Sequence, residues 1–447
     1  MTDIGNQVPD SHGKPYDLFQ RGHVYDHGYV ESGRDIFYQP FTPLNESSYT
    51  EFVVTPNGLD YIDMAQIRVG GRLKIVKVDD SNVESVLAAT DDISVVNLFP
   101  STLWKMVSVS LGGQDVQENS AYTYPWKVYL ETLLGVSDAE KKTYMKDSSL
   151  WIADTIGKES TNTKKGEAAT DKRTAYDDRA DYITASKEYQ FCIPLHVDLF
   201  QTQKLLLNGV SMRVKLIHND PEFSILHASD NAKFKVKFLD LHLMVRSLTL
   251  APSLTEKHTA MLSRQPAVYS FPMGKITTHT ISTSTDNVIL QNVCNGLLPS
   301  MCIIGFVDGD HFAGANSKNP FIFAPHAITS FYFRVNGIIT PSTPYAPRFD
   351  NKMALRSYLD FVKHLSLDKG RDVGMTYESF LSNNCFYVLD CSGHACGQAG
   401  KHPPINGSVD VVIKFKTVPA KTIKMVIYSV HNQSISIDRD RNVTVAY

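Results

Sequence analysis

The residues with the most specific chemistry are His196 and Asp198, with His242 further along the chain. Two histidines and one carboxylate hold the metal in mononuclear iron(II) oxygenases, and a His-x-Asp pair at a strand end supplies two of these ligands. The pattern therefore raises the hypothesis of an iron site. The simpler interpretation is that His196 and Asp198 lie on a polar connection between Ile193 and Phe200, as they would in many proteins that bind no metal.

A second cluster consists of Cys391, His394 and Cys396, followed by His402. Its spacing is C-x4-C with a histidine inside, whereas a convincing zinc site pairs C-x2-C with a second, distant pair of ligands. We therefore interpret residues 390–404 as a glycine-rich loop. The sequence also contains no Walker loop, GxSxG elbow or HExxH helix. Phosphate binding, serine hydrolysis and zinc proteolysis therefore have no sequence signal, but these absences do not by themselves exclude an enzyme.

The charge of the chain gives little indication of a partner. Lys and Arg number 44 and Asp and Glu 47, for a formal net charge of −3, which argues against a basic nucleic-acid surface spread over the whole chain. Lys233, Lys235 and Lys237 alternate with apolar residues, as is typical of a half-exposed strand. A weak electrostatic contact with nucleic acid at these lysines is the alternative.

Composition indicates a folded protein with a large core, because 43% of the residues are hydrophobic and only 20% are charged. The first residues lack a cationic stretch followed by an apolar run, so we expect neither secretion nor membrane anchoring. Six cysteines in a chain of 447 residues, three of them in apolar runs, indicate buried thiols in a reducing compartment rather than a disulfide framework.

The elements that would position any site are mainly strands. Short alternating or fully apolar runs rich in Val, Ile, Phe and Tyr predict strands at residues 103–111, 210–217, 234–245, 328–335, 409–415 and 423–430. Five Asn-Gly pairs predict tight hairpins, since this dipeptide adopts the positive φ that such turns need; they begin at Asn57, Asn208, Asn295, Asn336 and Asn406. Helical periodicity is confined to residues 125–134 and 353–365.

The two predicted helices indicate an internal repeat. Residues 126–131 (WKVYLE) match residues 355–360 (LRSYLD) at an offset of 229, which also aligns residues 103–105 with 332–334. A second match, at an offset of 198, aligns Asn208 and the run that follows it with Asn406 and its run. We attribute the extra length of the first half to residues 158–181, of which 12 of 24 are charged, and we expect a mobile surface loop there.

Several blocks of the sequence resemble, in the same order, those of the major capsid proteins of polintons (Mavericks), adintoviruses and related double-stranded DNA viruses. Each block is loose alone, but their common order along nearly the whole chain makes the match specific. The pair His196 and Asp198 falls inside one block, which accounts for it without iron. The chain departs from the family's usual Tyr-Pro-Tyr-Arg at Tyr124-Pro125-Trp126-Lys127, keeping an aromatic residue and a cation. The blocks are Phe52-Val53-Val54, Asp60-Tyr61-Ile62-Asp63-Met64, Val96-Asn97-Leu98-Phe99, Ser108-Val109-Ser110-Leu111-Gly112-Gly113, residues 124–134, Leu150-Trp151, Asp154-Thr155, residues 195–200, residues 206–210, residues 435–438 and Arg441-Asn442-Val443.

What the resemblance implies is an all-β fold, a double jelly-roll of two eight-stranded antiparallel β-sandwiches in tandem with short helices in loops. It implies an N-terminal arm at residues 1–40, a first jelly-roll at 41–255, and a second at 256–447 with a C-terminal tail after residue 440. Strand-rich halves, hairpin turns and the repeated strand, loop and helix pattern are what such a tandem requires.

The resemblance further implies a hexon-like viral major capsid protein without catalysis. Homotrimers would form pseudo-hexameric capsomers that tile an icosahedral shell around double-stranded DNA. The expected partners are other copies of the chain, penton and minor capsid proteins and, at most non-specifically, packaged DNA, with no small-molecule substrate. The expected location is the virion, after synthesis and assembly in the cytoplasm or nucleus of a host cell. Two alternatives are a single-domain jelly-roll iron(II) oxygenase using His196, Asp198 and His242, and a cytosolic β-sandwich protein that binds a ligand such as a glycan.

Overall fold

A computed structural model of the chain describes residues 30–55, 58–116, 122–160, 173–367, 371–391 and 406–446. The strands before residue 251 form two facing sheets, together with a small pair that connects β5 and β10. One sheet has the order β1-β11-β3-β8, with β4 also on β3, and the other has the order β2-β9-β6-β7. The strands are β1 Val30–Tyr38, β2 Tyr49–Val54, β3 Asp60–Val78, β4 Glu84–Val86, β5 Ile93–Val95, β6 Trp104–Leu111, β7 Gln114–Asp115, β8 Tyr189–Pro194, β9 Met212–His218, β10 Ile225–His227 and β11 Lys233–Leu250.

The strands after residue 266 form a second pair of sheets with the same wiring. Their orders are β12-β19-β14-β17, with β20 also on β19, and β13-β18-β15-β16. In both halves the core strands alternate between the two sheets in the same order along the chain, and all pairs of the strands named here are antiparallel. The strands are β12 Ala267–Ile281, β13 Asn287–Leu297, β14 Met301–Asp308, β15 Ile328–Val335, β16 Ile338–Tyr345, β17 Phe386–Asp390, β18 Asn406–Phe415, β19 Ile423–Ile437 and β20 Val443–Ala446.

Two four-stranded sheets with this interleaved connectivity make a jelly-roll. Each half therefore contains one jelly-roll of eight core strands, and the predicted double jelly-roll is confirmed. All six strands predicted from apolar runs lie on observed strands, which are β6, β9, β11, β15, β18 and β19. Alternation is clearest in β9, where Met212, Val214 and Leu216 are buried while Arg213 and Lys215 are exposed.

Short helices lie in the connections, and the two predicted helices are confirmed as α2 and α9. These two helices occupy equivalent places. Each lies between the fifth of the eight core strands of its half (β7 or β16), which is an edge strand, and the sixth (β8 or β17), which belongs to the opposite sheet. Among the described residues, no helix is long and apolar enough to cross a membrane. The helices are α1 Phe99–Thr102, α2 Tyr124–Gly135, α3 Asp138–Lys142, α4 Tyr144–Ser148, α5 Ala175–Ala180, α6 Pro221–Ser224, α7 Pro252–Leu262, α8 Gly309–Ala313, α9 Leu355–His364 and α10 Tyr377–Ser382, with 3-10 turns at Thr184–Ser186, Asp198–Gln201 and Phe349–Asn351.

The sequence repeat matches the repeated fold only in part. The helix match pairs α2 with α9, and the second match pairs β9 with β18, so both join equivalent elements. The match of residues 103–105 with 332–334 joins equivalent strands at different points, because Trp104 begins β6 whereas Phe333 is near the end of β15. Helix α7, which the sequence analysis did not predict, connects the two jelly-rolls.

The expected arms are partly wrong. The sequence predicts an N-terminal arm that includes residues 30–38. These residues instead form β1, which pairs over its whole length with the last part of β11. Most of this strand is exposed and polar, so it has no apolar alternation to reveal it. Likewise β20, in the expected C-terminal tail, pairs with the end of β19. Residues 1–29 lie outside the described residues.

The expected mobile loop at residues 158–181 is also wrong in its last third. Residues 175–180 form α5, and Tyr176 and Arg179 are buried within the first jelly-roll. Arg179 donates hydrogen bonds to the carbonyl oxygens of Val95 and Ile152, and it pairs with Asp154 at 2.8 Å. An arginine that satisfies buried carbonyl groups carries no apolar signal, so composition alone misclassified it. Residues 161–172 lie outside the described part of the chain.

The Asn-Gly pairs divide into turns and strands. Asn336 and Gly337 both have positive φ and form the two-residue turn between β15 and β16, as predicted. The pairs that begin at Asn295 and Asn406 are not turns, because they lie opposite each other in β13 and β18, with Gly296 facing Gly407. A side chain at residue 407 would meet the Asn336 amide at 2.3 Å, so the glycine there serves close approach.

Candidate functional site

An aromatic cluster joins the two jelly-rolls. Helix α2 of the first half lies against the β14–β15 connection of the second half, residues 309–327. Trp126 stacks on Phe312 with ring centroids 5.0 Å apart, and Tyr129 stacks on Phe321 at 4.3 Å. Phe323 meets the edge of Trp126. Aromatic pairs of this kind contribute roughly 0.5–1.5 kcal/mol each beyond the area they bury, so this cluster holds the halves together.

Helix α2 reaches this contact because it is apolar on almost every side. Ten of its twelve residues are buried, including Lys127. A helix that is hydrophobic all round is a buried helix rather than a surface one. Pro125 in the first turn starts the helix without losing a hydrogen bond.

A buried charge network lies beside the aromatic cluster. The ammonium of Lys127 is 2.6 Å from Oδ2 of Asp198 and 3.7 Å from Oε1 of Glu131. Glu131 lies 2.7 Å from Nδ1 of His196 and accepts a hydrogen bond from the hydroxyl of Tyr428, which belongs to the second jelly-roll. Each buried charge thus has an opposite charge and a hydrogen-bond partner, as low-dielectric surroundings require.

Burial and pairing act against each other on the two carboxyl groups. Burial raises the pKa of Asp198 to about 6, although the Lys127 ammonium opposes the rise. Burial would likewise raise the pKa of Glu131, but Lys127 and the hydrogen bond with His196 bring it below its ordinary value. Burial also raises the pKa of the Tyr428 hydroxyl, so it stays protonated and donates to Glu131. The network is therefore arranged around one cation that serves two carboxylates.

Gly274 allows the second half to approach this network. Its backbone N–H binds Asp198, and a Cβ at this position would lie 2.4 Å from the Tyr428 hydroxyl. Any side chain here would displace the tyrosine that reaches Glu131. The glycine is required by the contact between halves rather than by its own strand.

The proposed iron ligands are used differently. Asp198 is bound to Lys127 and His196 to Glu131, while His242 lies in β11 with its ring 5.2 Å from that of Phe37 and Nδ1 3.4 Å from Asp240. Within the described residues, no three His, Cys, Asp or Glu side chains are grouped so that they could hold a metal ion. Of the cysteine-histidine cluster, Cys391 alone is described, and His394, Cys396 and His402 lie outside the described residues.

Polar contacts extend the interface around its rim. Lys141 of α3 donates to the carbonyl oxygens of Leu133 and Val373, and burial lowers its pKa to about 8. Arg371 donates to the carbonyl oxygens of Leu134 and Gly135 at the end of α2. These bonds satisfy groups that the end of a buried helix would otherwise leave unpaired.

Further contacts cross the interface on its other sides. Asn319 donates to Asp154, the partner of Arg179, so the α5 region is also part of this contact. Tyr269 of β12 accepts from the N–H of Leu207 and donates to the carbonyl of Leu205.

Helix α9, the equivalent of α2 in the second jelly-roll, is exposed along one face. Leu355 and Leu359 are 54% and 52% exposed, and Met353 just before the helix is 58% exposed. Residues four apart lie on one helical face, so Leu355 and Leu359 form an apolar stripe that faces solvent. Ser357 and Phe361 on the opposite side are buried against the sandwich.

The connection equivalent to residues 309–327 is the β3–β6 connection of the first jelly-roll, residues 79–103. Its first part is uncovered, because every residue from 79 to 90 except Leu87 is exposed. Val83 and Val86 are exposed by 60% and 68%. In the second jelly-roll, by contrast, only Asp310, Ala313 and Ala327 of residues 309–327 are exposed. In the first jelly-roll, therefore, helix α2 is covered and the first part of the connection is exposed. In the second jelly-roll, helix α9 has an exposed face and the connection is covered.

The three lysines considered for nucleic-acid contact are on β11 and face acidic groups. Lys235 and Lys237 both pair with Glu84, and Lys233 pairs with Asp80. Because these carboxylates offset the positive charges, the row does not form a basic strip for a phosphate backbone.

Comparison with solved structures identifies the fold. The chain is similar to a chain in the cryo-EM structure of the Sputnik virophage, with a TM-score of 0.61 and 11% identity over 94% of this chain and 89% of that one. It is also similar to VP54 of PBCV-1, fitted into a reconstruction of Sputnik, at a TM-score of 0.56 and 13% identity over 94% and 97%. The major capsid protein of Faustovirus gives a TM-score of 0.54 and 8% identity over 91% and 90%.

The chain has the double jelly-roll fold of viral major capsid proteins. The similarity spans nearly the full length of both chains in each case, so the tandem arrangement itself is shared, not one sandwich alone. No protein-family model and no curated protein matched the sequence. At identities this low, the similarity establishes the fold, and the function rests on the surfaces described above.

Trp126, Lys127 and Glu131 belong to the sequence repeat and to the family resemblance, but neither pattern assigns them to the contact between the halves. The two matched helices do differ in sequence. Residues 124–134 contain two charged residues, Lys127 and Glu131, whereas residues 355–364 contain three charged residues and a histidine interspersed with apolar ones. The less polar helix is the one favoured for burial.

Proposed function

We propose that this chain is the major capsid protein of a double-stranded DNA virus or element of the polinton and adintovirus kind, and that it assembles as a homotrimer. The residue blocks that resemble that family support the assignment within the wider group of double jelly-roll capsid proteins. The observation that carries the proposal is the unequal exposure of equivalent parts in the two jelly-rolls.

The contact between the halves provides the template for the contact between copies. Inside one chain, the helix of the first jelly-roll packs on the connection of the second. The same pairing is available between chains, because the helix of the second jelly-roll (α9) and the connection of the first (residues 79–90) are both free to meet. A head-to-tail contact of this type links different patches on each copy, and it closes into a ring if the rotation allows.

Three chains close such a ring with six jelly-rolls. Contacts inside a chain would then alternate with equivalent contacts between chains, giving a pseudo-hexagonal outline from a threefold assembly. Met353, Leu355 and Leu359 of one copy would lie against Val83 and Val86 of the next. A stable interface of standard size buries about 800 Å² on each partner, so residues around both patches would contribute as well.

Contacts between capsomers need less strength than contacts within them. A closed shell repeats each contact many times, and linked contacts reinforce one another. The net charge is near zero, and the lysines of β11 are paired with carboxylates. Both features fit a capsid protein that makes little direct contact with its genome. Penton and minor capsid proteins remain proposed partners, and the virion the proposed location, with assembly in the cytoplasm or nucleus of the host cell.

The test is the mass of the purified chain by size-exclusion chromatography with light scattering. We expect a particle of three times the chain mass of 49.9 kDa. Leu355→Lys/Leu359→Lys places two cations on the proposed contact, so we expect this variant to elute as monomers with unchanged circular dichroism. The matched control is Val418→Lys, which replaces a 47% exposed valine in the turn between β18 and β19 and should remain trimeric. A wild-type monomer, or a trimer that survives both lysines, would contradict the proposal.

A further inference from the structure

Two thiols face each other between the sheets of the second jelly-roll. Cys294 lies on β13 and Cys302 on β14, which belong to opposite sheets, and their sulfur atoms are 3.6 Å apart. Cys302 is buried, with 1% of its surface exposed, whereas Cys294 is only partly buried. The other described thiols are Cys192, Cys385 and Cys391. Among the described residues, none of these three has its sulfur within 3.6 Å of another cysteine sulfur.

Cys294 lies on the inward face of β13. The pairing of β13 with β18 shifts between Leu290 and Cys294, with two extra residues on β13. Within the shift, Asn292 has positive φ, and its N–H donates to the carboxylate of Asp410 on β18. Because an even number of extra residues keeps the period of two, Leu290 and Cys294 stay on one face, and both pack against the core. Cys294 therefore points toward the opposite sheet, where its partner lies.

The surroundings give the two thiols different chemical roles. The hydrogen bond with Cys302 lowers the pKa of Cys294, against the effect of burial. The same bond, together with burial, raises the pKa of Cys302. The thiolate is the nucleophile in exchange with disulfides, and Cys294 is also the more accessible of the two. Cys294 is thus suited to react first and Cys302 to resolve the product.

We propose that Cys294 and Cys302 are a redox-sensitive pair that forms a disulfide when the protein meets a small oxidised disulfide such as glutathione disulfide. The Cys294 thiolate attacks one sulfur of the small disulfide, which forms a mixed disulfide and releases one small thiolate. That thiolate takes the proton of Cys302, whose sulfur then attacks the sulfur of Cys294. The second small thiolate leaves as the bond forms and takes up, from solvent, the proton that Cys294 had released on ionisation. Two protein thiols are oxidised to one disulfide, and one small disulfide is reduced to two thiols.

The bond would join the two sheets of the sandwich at one end. It closes a loop of residues 294–302 and so restricts the unfolded chain, which stabilises the folded one. If the proposed capsid function is correct, the pair would stay reduced during assembly in the cell and close after release into oxidising surroundings. The chemistry itself does not depend on that function.

Peptide mapping of the wild-type chain tests the proposal without a variant. The full-length protein is incubated with glutathione disulfide, blocked with N-ethylmaleimide and digested without reduction. We expect a Cys294–Cys302 cross-linked peptide that disappears after reduction, and a melting temperature about 5 °C higher in the oxidised protein. Absence of this peptide, or a bond from Cys294 to Cys391 or Cys396 instead, would overturn the proposal.

Variants separate this pair from the other thiols. Cys294→Ala and Cys302→Ala should each lose the oxidation-dependent rise in melting temperature. Cys192→Ala is the matched control, since Cys192 is a partly buried thiol in a strand of the first jelly-roll, and it should keep the rise. A rise that persists in Cys294→Ala would assign the effect to other cysteines. Because trimer mass is measured independently, failure here would not affect the proposed assembly.

Discussion

Helices α2 and α9 occupy the same place in two jelly-rolls of the same wiring, yet one is buried and the other faces solvent. The difference lies in what covers them: the β14–β15 connection covers α2, whereas among the described residues no equivalent connection covers α9. Their sequences carry the same difference, since Trp126, Tyr129 and Leu130 on α2 are all buried, whereas Leu355 and Leu359 on α9 are exposed. In the proposed trimer, a second copy would cover this apolar stripe.

Replacing Trp126 should lower the free energy of unfolding more than any other substitution proposed here. Trp126→Ala removes a buried ring that contacts Phe312, Phe321 and Phe323 of the other jelly-roll. A change of this kind costs about 3–5 kcal/mol, measured as the free energy of unfolding in urea. The matched variant on α9 is Leu359→Ala, whose effect on a chain kept monomeric should stay within about 0.5 kcal/mol because the side chain is exposed. Equal costs at both positions would mean that the helices are not differently covered.

Removing the cation of the buried network should cost slightly less at neutral pH. Lys127→Met leaves Asp198 and Glu131 buried without a positive charge, and breaking such a pair costs about 3–5 kcal/mol, less any gain from packing the methionine. Burial raises the pKa of both carboxyl groups once Lys127 no longer opposes it.

This raised pKa gives the variant a pH dependence of known sign. The folded variant would bind protons more tightly than the unfolded chain, so its stability should be highest in acid and fall as pH rises through the raised pKa values. Urea unfolding at pH 5 and pH 7 measures this, and the deficit relative to wild type should be smaller at pH 5. A deficit that grows on acidification would mean that the carboxylates are paired by another group.

A substitution in the exposed connection of the first jelly-roll tests the other surface of the proposed contact, and it should have the smallest effect on folding. Val86→Asp adds a charge to an exposed strand that the proposed neighbour would cover. We expect the trimer to dissociate at protein concentrations where the wild type does not, with unfolding of the monomer nearly unchanged. Dilution series followed by light scattering measure the effect. An unchanged trimer would place the contact elsewhere on the first jelly-roll.

The strands of the fold could be predicted from the sequence more completely than the contacts at the surfaces of the two jelly-rolls. Alternation in runs such as residues 328–335 and 409–415 located the strands, because burial of one face imposes that pattern directly. The edge strand β1 and helix α5 were missed, since neither depends on an apolar pattern: β1 is held by backbone hydrogen bonds to β11, and α5 by the buried ion pair of Arg179 with Asp154.

The candidate site was hidden for a related reason. His196 and Asp198 could be read as metal ligands because a sequence does not show that Lys127, about 70 residues away in the chain, supplies the cation. Cys294 and Cys302 are only eight residues apart, but the sequence does not show that β13 and β14 lie in opposite sheets with these two side chains facing each other. Contacts in space decide both cases.

In the proposed trimer, helix α9 of one copy lies on residues 79–90 of the next copy, and three chains close the ring. A chain carrying both Leu359→Cys and Val86→Cys, treated with a short-armed bismaleimide and run on a denaturing gel, tests this directly. We expect covalent dimers and trimers and nothing larger, with neither product from Leu359→Cys or Val86→Cys alone. Cross-links confined to single chains, or a ladder that continues beyond three, would contradict it.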